Sequence, residues 1–320
     1  MGHLRLNPLT GRWVTIASER AERPEAFARQ FLPIEADPDR PCPFCPGHEE
    51  AAALETSGPT GGWAVRVVAN KFPAFSGSDA MHVDNLGPVF RQAPSSGIHE
   101  VLILSPSHDN EFGDLDDAQV GLVMAALRDR LAAHADQPGI RYSQAIVNHG
   151  REAGASLRHP HGQLLGIPFV PGEVADEEAG FRRFQGSCLI CTTIQAELDA
   201  GFRVVAESDD AVLLCPFWSG VPFEMLAMPK HHEGHLRNAD TTALDGVGVL
   251  LRDGIRTLRR TIGDLPYNLV VHTLPHHHDN EFHWHIHLVP RISSAVGFEQ
   301  GTGVQINIVG PETAAELLRA

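Results

Sequence analysis

The 320-residue chain is short of positive charge. It has 25 lysines and arginines against 40 aspartates and glutamates, for a formal net charge of −15. That balance leaves no basic stripe of the kind nucleic-acid binding rests on, so no nucleic-acid partner is expected. An anionic small molecule remains possible where a few arginines or histidines oppose the overall field. No apolar run approaches the roughly 20 residues needed to cross a bilayer, so no membrane partner is expected either. Residues Met1 to Pro8 lack the apolar core of a secretory leader, which makes cytoplasmic residence the expectation. Cysteine is scarce, at five, and four of these form two C-x-x-C pairs, Cys42/Cys45 and Cys188/Cys191. In a chain read as cytoplasmic, such pairs favour metal binding or redox chemistry over structural disulfides. The fifth, Cys215, reads as core. Acidic residues are scattered and form no paired-carboxylate site, and His276, His277 and His278 read as a solvated loop.

What the chain does have is a repeat. A single shift of 124 residues carries His108 to His232, Asn148 to His272, His159 to His283 and His161 to His285. The same shift takes Glu100 to Glu224, and lays Val120, Val123, Leu127 and Leu131 on Leu244, Val247, Leu251 and Ile255. One ungapped offset over that span indicates a duplicated fold. In each half a C-x-x-C knuckle precedes apolar strands, 63–68 and 100–104 in the first, 211–215 and 224–228 in the second. A helix with apolar positions three and four apart follows, and Asp114 or Asp116 is placed to cap the first. Strands at 143–147 and 163–167, then 269–271 and 285–289, close the halves around the histidine clusters. The pattern predicts an α+β fold with sheets covered on one face. The acidic stretch from Pro171 to Gly180 reads as the junction, dividing the chain into 1–175 and 176–320.

The segment 159–163, HPHGQ, is the sharpest chemical signal. On a strand, alternating residues share a face, so His159, His161 and Gln163 line one side together. An imidazole attacks phosphorus well when a hydrogen bond to its other nitrogen fixes the tautomer, and His161 is placed for that role. Gln163 can donate an amide N–H to a phosphoryl oxygen. Its counterpart under the shift is His287, which could protonate a poor leaving group where glutamine cannot. A sugar phosphate, with a second pKa of about 6, leaves without added protons, so glutamine suits transfer between phosphates better than hydrolysis.

Cys42 and Cys45 fit a tetrahedral Cys2His2 zinc site with His108 and His159. Cys188, Cys191, His232 and His283 repeat the set, which predicts two zinc ions per chain, with iron an alternative in the second half. The segment 148–156, NHGREAGAS, reads either as an ordinary turn or as a phosphate loop that brings backbone N–H groups around Gly154 and the Ser156 hydroxyl against a diphosphate. Arg20 and Arg23 are either phosphate clamps or a solvated pair.

These segments resemble those of the galactose-1-phosphate uridylyltransferase family, of the histidine-triad superfamily. The resemblance runs almost end to end: NPLTGRW at 7–13, RAERP at 20–24, CPFCPG at 42–47, NKFPA at 70–74 and SPSH at 105–108. It continues through GASLRHPHGQ at 154–163, PFE at 222–224, PKHH at 229–232 and GFEQGTG at 297–303. It implies two tandem triad-like halves, each an antiparallel sheet with a long helix packed on it. It further implies that His161 becomes nucleotidylated while Gln163 steadies the phosphoryl group. Arg20, Arg23, Asn70, Asn148 and Ser156 would bind nucleotide and phosphate. Phe298, Glu299 and Gln305 would contact the hexose in a neighbouring subunit, hence a homodimer. The implied reaction is ping-pong: UMP passes from UDP-glucose through His161 to galactose-1-phosphate. Asn70-Lys71 departs from the family's Asn-Asp, and Ser293 stands where its sugar loop carries a lysine. Cys188, Cys191 and the 297–303 segment instead resemble relatives that act as ADP-glucose phosphorylases, whereas Gln305 leans toward the uridylyl reading. Two other classes are a triad-type nucleotide hydrolase working from His283, His285 and His287, and a zinc protein that only binds nucleotides.

Overall fold

The computed structural model describes residues 2–19, 31, 34, 41–58, 61–293 and 296–320. In chain order, strands β1 (His3–Leu6), β2 (Trp13–Ile16), β3 (Ala52–Ser57) and β4 (Trp63–Ala69) lead to a short hairpin, β5 (Asp84–Asn85) and β6 (Arg91–Gln92). Strand β7 (Ile98–Ile103), helix α1 (Asp117–Ala135) and strands β8 (Tyr142–His149) and β9 (His161–Ile167) complete the first half. Helices α2 (Gly172–Arg183) and α3 (Leu189–Ala200) follow, so the acidic stretch read as a junction is largely helical. The second half continues with β10 (Val204–Glu207), β11 (Ala211–Leu214), β12 (Met225–Pro229), α4 (Thr241–Ile262), β13 (Tyr267–His272) and β14 (His285–Pro290). The chain then adds α5 (Gly297–Thr302), β15 (Gln305–Asn307) and α6 (Pro311–Arg319).

The fold is α+β, and the repeat is visible in its topology. Ten strands form one antiparallel sheet in the order β10-β11-β12-β14-β13-β8-β9-β7-β4-β3. Read outward from the centre, β8-β9-β7-β4-β3 on one side matches β13-β14-β12-β11-β10 on the other. The two five-stranded units are therefore not separate sheets: β8 pairs antiparallel with β13, each closing the other's edge. An unpaired edge exposes backbone N–H and C=O groups, and mutual pairing removes two such edges.

Helices α1 and α4 lie on the same face, starting at equivalent residues, 117 and 241. Asp116 caps the first by accepting from the Gln119 N–H at 2.8 Å, and Asp240 caps the second by accepting from the Ala243 N–H at 2.8 Å. An Asp at this position satisfies a backbone donor the helix leaves unpaired. The apolar positions anticipated from periodicity, Val120, Val123, Leu127 and Leu131 with Leu244, Val247, Leu251 and Ile255, are all buried in the main core with Val65, Leu102, Leu164, Leu213 and Met225. Because strand side chains alternate, filling one face with this core turns His161 and Gln163 to the other. A second core there joins Phe181, Leu189, Ile190 and Ile194 of α2 and α3 to Val212, Leu214, Leu226 and Met228. Cys215 is core, as read. His276 is not solvated as its neighbours suggested: it is buried, its Nε2 is 2.9 Å from Ser143 Oγ, and only His277 of the three is exposed. Among the described residues no helix is long and apolar enough to cross a membrane.

Candidate functional site

His161 opens β9 and lines a cleft of about 650 Å³ with Asn148, Gly150, Ala155, Arg158 and Tyr267 among its other walls. The ring is buried, and its Nδ1–H donates to the backbone oxygen of His159 at 2.8 Å. That bond assigns the proton to Nδ1 and leaves the Nε2 lone pair free. Burial, opposed only by this bond, lowers the His161 pKa below its ordinary value, so the ring is neutral at pH 7. Gln163 lies on the same face, two residues along. Phe44 of the C-x-x-C knuckle packs against His161 with ring centroids 5.4 Å apart.

The 148–156 loop is a built turn. A short 3-10 turn at Arg151–Ala153 ends at Gly154, whose φ of 93° a side chain would oppose. Asn148 Oδ1 accepts from Asn268 Nδ2 at 2.8 Å, and the same amino group donates to Ala153 O at 2.9 Å. A second-half residue thus holds both the loop and the Asn148 amide, a contact nothing in the motifs announced. Ser156 and Gly154 are exposed. Asn70 follows β4, and its Nδ2 lies 3.1 Å from His99 Nε2.

Cys42, Cys45, His108 and His159 come together with donor atoms all within 4.8 Å of one another. His159 Nε2–H donates to Ser105 O at 2.8 Å, which points its Nδ1 lone pair toward Cys45 Sγ, 3.6 Å away. Cys188, Cys191, His232 and His283 assemble likewise, with His283 Nε2–H donating to Pro229 O at 2.9 Å. A backbone acceptor on the remote nitrogen is the usual support for a metal-binding imidazole. Burial pushes the Cys188 thiol up to about 12 and raises Cys45, so without a cation both stay protonated.

A third donor set, Glu177, His272, His285 and His287, escaped the sequence reading. His285 repeats the local geometry of His161, its Nδ1–H donating to His283 O at 2.9 Å. Unlike His161 it is fully buried and does not line the cleft of about 650 Å³, and its Nε2 lies 3.6 Å from Glu177 Oε2. Among the described residues Glu177 Oε2, His285 Nε2 and His287 Nε2 find no hydrogen-bond partner. Unsatisfied buried donors and acceptors are costly, and one carboxylate with three imidazoles is a set a divalent transition metal would satisfy. Burial alone would raise Glu177, but His272 and His285 override it and hold the carboxylate well below its usual range.

Other expected residues lie apart. Phe298 and Glu299 sit on α5, where Glu299 caps its own helix by accepting from Val296 N–H at 3.2 Å. Gln305 begins β15, which pairs in parallel with β2. None of the three lines the His161 cleft. Arg20 and Arg23 lie outside the described residues.

The family described as "Galactose-1-phosphate uridyl transferase, N-terminal domain" matches residues 1–171, and a domain of unknown function, DUF4921, matches 113–319. An ADP-glucose phosphorylase from Arabidopsis thaliana is 32% identical over 99% of this chain and 92% of its own length. A galactose-1-phosphate uridylyltransferase from Haemophilus influenzae is 27% identical over 99% of this chain and 94% of its own. A crystal structure of an ADP-glucose phosphorylase from Arabidopsis thaliana with bound ADP-glucose superposes with a TM-score of 0.83 at 31% identity, covering 100% of this chain and 99% of that one. The chain is a nucleotidyltransferase belonging to the galactose-1-phosphate uridylyltransferase family.

Proposed function

We propose that this chain moves a nucleoside monophosphate from a nucleotide sugar to a second phosphate through a covalent bond to His161. The observation that carries the reading is the Nδ1–H bond to His159 O, which leaves a neutral Nε2 at the cleft wall. In the first step Nε2 attacks the α-phosphorus. The bond to the bridging oxygen breaks, and hexose-1-phosphate leaves with the electron pair. Gln163 donates an N–H to the phosphoryl oxygen while charge builds there, and Asn148, Gly154 and Ser156 hold the diphosphate. In the second step an acceptor phosphate oxygen attacks the same phosphorus and the P–N bond breaks, returning its electron pair to Nε2. No net proton transfer is needed. Arg20, Arg23 and Asn70 complete nucleotide binding in this reading. Phe298, Glu299 and Gln305, which lie off the cleft of their own chain, serve a neighbouring subunit in a homodimer.

In this reading the donor is UDP-glucose and the acceptor galactose-1-phosphate, supported by the similarity to the galactose-1-phosphate uridylyltransferases. A second reading, adenylyl transfer from ADP-glucose with inorganic phosphate as acceptor, is favoured by the similarity to the Arabidopsis phosphorylase. Hydrolysis from the second half is disfavoured by the burial of His285. Each Cys2His2 set would hold zinc and stiffen the knuckle beside it, and in the first half that knuckle brings Phe44 against His161. The Glu177 set would hold a further divalent ion. The test is detection of a nucleotidyl group on His161.

A further inference from the structure

The face of β7 and β9 that carries His161 also carries His99. Across the ladder His99 faces Leu165 and Val101 faces Gln163, so His99 and Gln163 are diagonal neighbours on one face. The backbone N–H of Ala74 donates to His99 Nδ1 at 3.0 Å. A backbone N–H can only donate, so Nδ1 holds a lone pair and the neutral ring carries its proton on Nε2. Nε2 lies 2.9 Å from Gln163 Oε1 and 3.1 Å from Asn70 Nδ2. Asn70 Oδ1 is occupied by the Phe72 N–H at 2.8 Å, which turns the Asn70 amino group toward the ring. An N–H cannot accept from an amino group, so the Nε2 proton goes to the one acceptor found there among the described residues, Gln163 Oε1. With its oxygen held against His99, the Gln163 amide turns its amino group away from that ring and leaves it on the face shared with His161.

We infer that His99 is a positioning residue that fixes the orientation of the Gln163 amide for the transferred phosphoryl group; the inference rests on the nucleotidyl-transfer reading above. The repeat supplies an internal control. In the second half the counterpart of His99 is Phe223, which offers no donor, and the counterpart of Gln163 is His287, whose Nδ1 faces Glu224 at 3.5 Å. The half without the glutamine is also without the histidine.

Two substitutions separate positioning from a structural role. His99→Asn keeps an acceptor near the Nδ1 position for the Ala74 N–H but does not reach Gln163. His99→Gln puts an amino group near the Nε2 position and gives up the Ala74 contact. The readout is the single-turnover rate of His161 nucleotidylation by UDP-glucose and by ADP-glucose, followed by quenched-flow mass spectrometry, with thermal melts of every variant. With the more reactive nucleotide sugar, His99→Asn is expected to be slower by about tenfold or more. His99→Gln is expected to restore most of that loss, and His99→Asn to cost nothing further in a Gln163→Ala background. A His99→Gln variant slower than His99→Asn, or losses that simply add in the double variant, would overturn the inference and leave His99 as an anchor for the 72–75 segment. Histidine ¹⁵N spectra of the unmodified protein do not depend on any variant folding: an Nε2–H tautomer at His99 is expected, and an Nδ1–H tautomer contradicts it. Wild-type protein that reacts with neither nucleotide sugar would overturn the transfer reading itself, and the inference with it.

Discussion

Ile146 and Val270 pair directly at the centre of the ten-stranded sheet, and each is the other's counterpart in the repeat, 124 residues away. A residue that pairs with its own copy marks a local two-fold axis. The helices obey the same axis: Met124 and Gly248 are also counterparts, and they meet between α1 and α4. A Cβ on Gly248 would sit 2.8 Å from Met124 Cγ and 2.6 Å from Val120 Cγ1. Gly248→Val is therefore expected to lower stability by about 1–3 kcal/mol through overpacking, measured by denaturant unfolding. An unchanged midpoint would show that the helices separate freely at this crossing.

The axis gives the second half a task in the first half's site. Asn268 pairs with Asn148 in the sheet and donates to both its side chain and Ala153 O. Asn268→Ala removes the donor from two acceptors and frees the Asn148 amide to turn. A rise of about tenfold in KM for the nucleotide sugar is expected, close to the cost of one lost hydrogen bond at a partly buried site. Wild-type KM and kcat in this variant would detach the loop from the second half.

Metal content is open to direct measurement. Cys42→Ser and Cys188→Ser are each expected to lower bound zinc by about one per chain, read by plasma mass spectrometry of purified protein. The raised thiols of Cys45 and Cys188 set the sign of the pH effect. Zinc must displace their protons, so binding releases protons and weakens as pH falls. Zinc affinity that does not change between pH 8 and pH 6 would contradict thiolate ligation.

The pH dependence of the first chemical step has a definite direction. Burial lowers the His161 pKa below the ordinary 6.5, so Nε2 keeps its lone pair to lower pH than a free imidazole would. The rate of adduct formation is expected to be flat at neutral pH, with its acid limb at a pH below 6.5. An acid limb above 6.5 would mean that His161 is stabilised as a cation, which the buried ring with its single backbone acceptor does not provide for.

Much of this site was legible before any coordinates. The 124-residue offset located both long helices, the strands that flank them and the histidines of both Cys2His2 sets, because an ungapped repeat reports equivalent positions directly; the C-x-x-C pairs, 146 residues apart, were legible from their own spacing. Contacts made across the chain were not legible. Glu177 sits in the acidic stretch read as the junction between the halves, and α2 carries it to His272 and His285, roughly a hundred residues further on. The pairing of β2 with β15 joins nearly the two ends of the chain in parallel, and no local periodicity announces it. His276 read as solvent-exposed from its histidine neighbours, whereas its partner Ser143 lies on β8 in the other half. The tautomer of His99 likewise depends on Ala74, Asn70 and Gln163, three residues that only the folded sheet brings together.

The measurement that bears most directly on the central claim is intact mass spectrometry of the protein mixed separately with UDP-glucose and with ADP-glucose, beside His161→Ala. A mass gain of one nucleoside monophosphate that His161→Ala abolishes is the predicted result; a uridylyl-sized gain assigns the donor to the galactose branch and an adenylyl-sized gain to the phosphorylase branch. No adduct with either donor, or one that persists in His161→Ala, would contradict the account.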